Sequence, residues 1–286
     1  MSATGATADP ELVALRDITS SGVRSRVLEA GRPDAPPLVL LHGFLASHRS
    51  FEDSIPALAE HFRVVAPDLP GFGDSGKPTP ASYGYHLDAF TDTVADLISA
   101  LGLGRTTLLG HDIGGAVSLN LAVRHPELAQ RVILVAPPVY PLARTRRLRL
   151  LGLPLVGPVL FKQLLGRGAF RRFFRADVYS AEHGFPLDRV DDFYDRFNAP
   201  SAREAAWTVL QSFADTRRTR ALVSRVQAPA LVLWGQADKL LPAPHATRLA
   251  RELRARLHLL DAGHAPHEAH PGEFVRVVCD FCGVRR

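Results

Sequence analysis

The stretch Gly110-His111-Asp112-Ile113-Gly114-Gly115 decides how this chain of 286 residues folds. It follows the apolar run Thr106-Thr107-Leu108-Leu109 and opens a helical stretch, Ile113 to Arg124, that ends at His125-Pro126. A strand that turns at once into a helix, with glycines on both sides of the turn, describes a sharp elbow. Gly110, Gly114 and Gly115 leave room for the turn and let the helix pack close to its strand. Asp112 stands where such an elbow exposes a nucleophile. Serine is the usual occupant, and a carboxylate changes the possible chemistry. It can displace a leaving group at a saturated carbon and form an ester with the enzyme. It is poorly suited to ordinary ester hydrolysis, because attack on an acyl carbon would give an anhydride. Asp is also a common helix cap, and the two roles are compatible, since a helix N-terminus stabilises a carboxylate.

Other apolar runs end in loops rich in chemistry. Leu38-Val39-Leu40-Leu41 leads to His42-Gly43-Phe44, and Arg63-Val64-Val65-Ala66 to Pro67-Asp68-Leu69-Pro70-Gly71-Phe72-Gly73-Asp74-Ser75. Leu231-Val232-Leu233-Trp234 leads to Gly235-Gln236-Ala237-Asp238, and His258-Leu259-Leu260-Asp261 to Ala262-Gly263-His264. These strands alternate with helical stretches at Phe51 to His61, Leu87 to Leu101, Ile113 to Arg124, His245 to Leu253 and Glu273 to Phe281. The alternation predicts an α/β fold with a mostly parallel, doubly wound sheet. After Val132-Ile133-Leu134-Val135 it stops, and from Val139 to about Val223 the pattern is helical with Pro and Gly punctuation.

On these motifs the sequence resembles the α/β-hydrolase family, and within it the aspartate-nucleophile branch of epoxide hydrolases and haloalkane dehalogenases. The resemblance spans residues 25 to 283. It rests on an elbow, an acid and a histidine in the order Asp112, Asp238, His264, each just after an apolar strand. It implies a core over residues 13–137 and 223–286, an inserted helical cap over 138–222, and a disordered lead-in over 1–12.

In this reading Asp112 is the nucleophile and His264 the general base, because an imidazole of pKa near 6.5 takes a proton from water and later releases it. Asp238 is the orienting acid that fixes the tautomer and stabilises the charged ring. Asp261 is a poorer substitute, too near His264 in sequence. The fold implies an oxyanion hole from the backbone N–H groups of Phe44 and Ile113. His267 and His270 follow His264 at spacings of three, so a local metal site is the rival reading; Pro266 and Pro271 argue against the regular helix it would want.

The implied reaction is the opening of small epoxides to diols. His42-Gly43-Phe44 matches the oxyanion loop common in epoxide hydrolases, which also use cap tyrosines to protonate the epoxide oxygen. Tyr179 and Tyr194 are the candidates here. Trp207 stands in Ala205-Ala206-Trp207-Thr208 without the Tyr that often accompanies it in the family. Haloalkane dehalogenases often place Trp after the nucleophile, and here that residue is Ile113. A cyclase, lyase or small-molecule receptor is the further alternative, since fold does not dictate chemistry. Phe161, Phe170, Phe174 and Phe213 are expected to line the substrate pocket, being large and apolar within the cap.

Composition sets the remaining bounds. A hydrophobic content of 46% supports a sizeable core, and no apolar run approaches the ~20 residues of a membrane span. Cys279 and Cys282 give no disulfide framework and read as packing or surface thiols. Met1 to Glu11 lacks a signal-peptide pattern, so a cytoplasmic location is expected. Net charge is +5, and Arg144 to Arg175 holds nine basic residues and no acid. That run is a solvated face or an amphipathic surface for anionic membranes or acidic substrates. Nothing accompanies it that reads nucleic-acid bases. No motif calls for a metal or organic cofactor, and the expected partner is a small-molecule substrate.

Overall fold

A computed structural model of the protein describes residues 13–141, 153, 156–179 and 185–284. Its centre is an eight-stranded sheet, β1 (Ala14–Ser20), β2 (Val23–Ala30), β3 (Pro37–Leu41), β4 (Arg63–Pro67), β5 (Thr106–His111), β6 (Ala129–Val135), β7 (Ala230–Gly235) and β8 (Arg256–Leu260). Their spatial order is β1-β2-β4-β3-β5-β6-β7-β8. From β4 to β8 neighbouring strands run parallel, while β1–β2 and β2–β4 are antiparallel.

The parallel strands are continuous apolar runs because both faces of the sheet are covered. Side chains alternate between the faces. Val39, Leu41, Leu108, Val132, Leu134 and Val232 enter one core, and Leu38, Leu40, Leu109, Ile133, Leu231 and Leu233 enter the other. The helices α2 (Leu87–Ala100), α3 (Ile113–Arg124) and α9 (Pro244–Leu253) pack on the first face. The short α1 (Ile55–Ala59), α10 (Pro266–Ala269) and the terminal α11 (Pro271–Cys282) pack on the second. Cys279 lies buried there and Cys282 partly buried, and neither is in a disulfide.

Two expectations change. The helix foreseen over Phe51 to His61 is a 3-10 turn, His48–Phe51, followed by α1, whose start Pro56 fixes at its first turn. The strands β1 and β2 were not foreseen. They form a hairpin closed by Ser21 and Gly22, both at positive φ, as a tight two-residue turn requires. On β1 most side chains face solvent, which hides the period-2 signal.

Between β6 and β7 the described residues form no strand. They contribute α4 (Val156–Val159), continued by a π turn to Leu164, then α5 (Arg167–Phe173), α6 (Leu187–Phe197), α7 (Pro200–Ala214) and α8 (Arg217–Leu222). The lead-in, residues 1–12, and residues 144–152, 154 and 155 of the basic run lie outside the described residues. Within the described part of that run, Arg167 pairs with Asp191 and Asp195, Arg171 with Asp191, and Lys162 with Glu204. Among the described residues no helix is long and apolar enough to cross a membrane.

Candidate active site

The carboxyl ends of the parallel strands gather the predicted residues in one place, as open parallel sheets do. β3 delivers Phe44, β5 delivers Asp112, β7 delivers Asp238 and β8 delivers His264. Asp112 has φ 48° and ψ −119°, a conformation that costs a non-glycine residue on the order of 1–3 kcal/mol. The turn is tight because α3 presses on the sheet. A Cβ on Gly114 would stand 2.3 Å from the Leu41 carbonyl oxygen, so only glycine fits.

The Phe44 amide donates to Asp112 Oδ2 at 2.9 Å, and the Ile113 amide also supports the carboxylate. His264 Nε2 lies 3.9 Å from Asp112 Oδ1. Its Nδ1–H donates to Asp238 Oδ2 at 2.8 Å. Asp238 Oδ1 accepts from the amides of Leu240 and Leu241 at 2.9 and 2.8 Å, so the acid is held from both sides. The His264 amide donates to the Val178 carbonyl at 2.6 Å, tying the histidine loop to the helical segment above it.

Burial pushes the Asp112 carboxyl up, and the His264 charge and the Phe44 and Ile113 amides only partly offset it. The helix N-terminus therefore pulls in the direction foreseen, but desolvation outweighs it. For His264 the balance is reversed. Burial would lower its pKa, yet the Asp238 charge, the Asp238 hydrogen bond and the Asp112 charge raise it.

Sequence reasoning missed a cluster of buried imidazoles behind the site. The His111 ring stands 4.9 Å from that of His264 and 4.6 Å from that of His267. His111 Nε2–H donates to the His264 carbonyl at 2.9 Å. Burial drives His42 down, His111 well down and His267 to about 3. These three stay neutral in the fold but titrate near 6.5 once unfolded. Their stability contribution is complete above pH 6.5 and is lost as pH falls from there towards 3. His264, raised, acts only above pH 6.5; within the window the raised carboxyls of Asp112 and Glu268 have the opposite sign, and they are two against three. The thermal midpoint is therefore expected to fall as pH is lowered below 6.5; a flat profile in that window would refute the buried neutral cluster.

The metal reading of His264, His267 and His270 does not hold: His270 Nε2 instead bonds the Asp261 carbonyl at 2.7 Å. Among the described residues no group of three or more His, Cys, Asp or Glu side chains is placed to hold a metal.

A cavity of about 670 Å³ opens over Asp112 and His264. Phe161, Phe170, Phe174 and Phe213 line it, together with Phe44 and Phe173. Tyr179, Tyr194 and Trp207 do not, which corrects the sequence reading. On α7 the cavity takes Val209, Leu210 and Phe213, and position 207 lies about 200° round the helix from 209. Trp207 packs instead on Phe161, 5.6 Å between ring centroids. Tyr194 sits behind Phe170 and donates to Asn198 Oδ1 at 3.2 Å. Tyr179 donates to Glu268 Oε2 at 2.6 Å, and it is Glu268 that reaches the cavity wall. Arg172 and Asp177 also line the cavity and were not foreseen. No periodicity or motif marks these polar positions, because the loops and helices that carry them meet only in the fold.

The Gly43 turn gives a direct test of the oxyanion role expected of the Phe44 amide. A Cβ on Gly43 would stand 2.7 Å from His111 Nδ1 and 3.1 Å from Asp112 Cβ. His111 is boxed in by two other imidazoles and cannot retreat, so Gly43→Ala must move the Phe44 amide. The expected loss in kcat/KM is about 100- to 1000-fold, the usual cost of an oxyanion donor. An unchanged rate with unchanged melting would remove Phe44 from that role.

The architecture agrees with the relatives this chain matches. It belongs to the alpha/beta hydrolase fold family, whose model matches residues 36–271. Within that family it is a hydrolase. It is 28% identical over 273 residues to a 2-hydroxymuconate semialdehyde hydrolase of Pseudomonas sp. (strain CF600), covering 93% of each chain. It is 27% identical over 284 residues to epoxide hydrolase 3 of Xenopus tropicalis, covering 91% of this chain and 75% of that one. Among solved structures, the 2-hydroxy-6-oxo-6-phenylhexa-2,4-dienoate hydrolase of Rhodococcus sp. strain RHA1 superposes with a TM-score of 0.82 at 26% identity. That match covers 96% of this chain and all of the other.

Proposed function

We propose that this hydrolase works through a covalent ester on Asp112 and opens apolar epoxides to diols. The observation that carries the reading is a carboxylate at the elbow, 2.9 Å from the Phe44 amide and 3.9 Å from His264 Nε2. An Asp112 oxygen attacks an epoxide carbon, the C–O bond breaks, and an alkyl ester remains. Esterification removes the Asp112 charge, one of the charges that raise His264. The imidazole is then a readier neutral base. It takes a proton from water as the oxygen adds to the Asp112 carbonyl carbon. The tetrahedral oxyanion is held by the Phe44 and Ile113 amides. Collapse expels the diol oxygen, which takes the proton back from His264. The water oxygen stays in Asp112.

The cavity supports larger substrates than the small epoxides the sequence suggested. Its volume of about 670 Å³ and its six phenylalanines suit an aryl or long alkyl substituent. Dehalogenation is the second reading. It is disfavoured because, among the described residues, the cavity offers no indole N–H for a halide, and the side chains of Phe44 and Ile113 cannot donate. The likeness to epoxide hydrolase 3 favours the epoxide reading. The test is the intact mass of a His264→Gln variant exposed to a phenyl-substituted epoxide. A folded variant that gains no mass from it overturns the proposal.

A further inference from the structure

An epoxide oxygen leaving carbon needs a proton, and the tyrosines expected to supply it do not reach the cavity. Among the described residues, those lining the cavity carry no hydroxyl, phenol, thiol or indole. The side chains with a titratable or charged group are His111, Asp112, Arg172, Asp177, His264 and Glu268. Asp112 is the attacking group. His264 Nε2 faces the attacking oxygen, whereas the leaving oxygen departs on the far side of the carbon. His111 spends its Nε2–H on the His264 carbonyl, and burial keeps the ring neutral, so Nδ1 has no proton to give. The Arg172 guanidinium is exposed and too weak an acid. Asp177 is partly exposed to water and not sealed within the fold.

Glu268 differs from all of these. Its side chain is 4% exposed, at the seam between the sheet and the overlying helices. Oε2 accepts from Tyr179 at 2.6 Å and from Arg189 Nη1 at 2.8 Å, both residues of the segment between β6 and β7. Among the described residues Oε1 accepts no hydrogen bond, and His267 Nε2 lies 3.8 Å from it. Arg189 also binds Glu52 and Asp53, so one guanidinium serves three carboxylates. The other two are 36% and 48% exposed, so desolvation bears hardest on Glu268. A proton that relieves the excess therefore settles on the buried member.

We propose that Glu268 is the acid that delivers a proton to the oxygen leaving the substrate carbon, with Tyr179 and Arg189 as its positioning residues. The inference rests on the epoxide-opening reading. As Asp112 closes its bond to carbon, the C–O electron pair takes the Glu268 proton, and the new carboxylate is stabilised by Arg189. During ester hydrolysis one water proton passes through His264 to the diol. The other is released as Asp112 returns to its carboxylate, and it recharges Glu268. Burial holds the Glu268 carboxyl up at about 7 against the pull of Arg189 and Tyr179, so the acid form is populated at neutral pH. The charged or titratable groups around it are Arg189 and Tyr179 from above, Asp53 and Glu52 from the loop before α1, and His267 beside it on the short helix Pro266–Ala269.

The test uses His264→Gln as parent, so that only ester formation is observed, followed by intact mass with a phenyl-substituted epoxide across neutral pH. The parent is expected to alkylate at a rate that falls above about pH 7. Adding Glu268→Gln, nearly isosteric, should slow alkylation about 100-fold or more and remove that pH dependence. Glu268→Asp should retain a pH-dependent rate, and Tyr179→Phe should move the limb while leaving an acid in place. A parent-like rate and pH profile with Glu268→Gln overturns the assignment and leaves the Asp112 ester intact. Failure of the parent itself to alkylate overturns the epoxide reading and this inference with it.

Discussion

His264→Gln, mixed with a phenyl-substituted epoxide, gains the mass of one whole epoxide and holds it, while the wild-type chain returns to its original mass. Asp112, the Phe44 amide and the phenylalanine wall of the cavity are untouched by the substitution, so the ester still forms. What is lost is the imidazole placed to take a proton from water beside the ester, since Nε2 is 3.9 Å from Asp112 Oδ1 and Nδ1 is committed to Asp238. Gln cannot act as a base at neutral pH. Turnover should fall by about 10⁴-fold or more, the scale seen when such a unit loses a member. Proteolysis should place the added mass on the peptide that carries Asp112. An adduct lacking halogen, formed only from haloalkanes, would move the reaction to dehalogenation. Absence of any adduct from folded protein would favour a cyclase or a receptor.

Asp112→Asn is the second large effect. The amide keeps the size of the side chain, and its oxygen can still accept from Phe44, so the elbow should fold. A neutral amide does not displace an alkoxide from carbon. No adduct should form, even in combination with His264→Gln, and turnover should drop by about 10⁴- to 10⁶-fold. Retained alkylation in that double variant would show that another group is attacking and would remove Asp112 from the mechanism. The two variants give opposite results on one mass measurement, so they separate the first half of the reaction from the second.

Much of the fold is legible in the chain because a parallel sheet with both faces covered writes each strand as an apolar run. The runs at 38–41, 63–66, 106–109, 132–135, 231–234 and 258–261 all fall on strands of the sheet, the last but for its final residue. The hairpin β1–β2 is less visible, since much of it faces water and Arg16, Asp17, Arg24 and Arg26 dominate its composition. Ser21-Gly22 was its only local sign.

The site divides in the same way. Asp112, His264, Asp238 and the Phe44 and Ile113 amides could be named from sequence because each sits at a fixed offset from the end of a strand. The sheet then brings those ends together without further instruction. The cap aromatics could not be sorted by sequence. Phe161, Phe170, Phe174 and Phe213 face the cavity and Trp207 does not, a distinction set by helix rotation and not by residue type. Glu268 stands four residues after His264 and looks ordinary until folding brings Tyr179, Arg189, Glu52 and Asp53 around it.

The sequence alone determined the parallel strands of the sheet, the elbow and the residues at its strand ends, because these depend on local patterning and on backbone sterics near Asp112. Only the tertiary structure decided which cap side chains meet the cavity, that the tyrosines stand behind it, and that a buried carboxyl shares one guanidinium with two exposed ones. Those outcomes depend on burial and on charges distant in sequence, which no local pattern encodes.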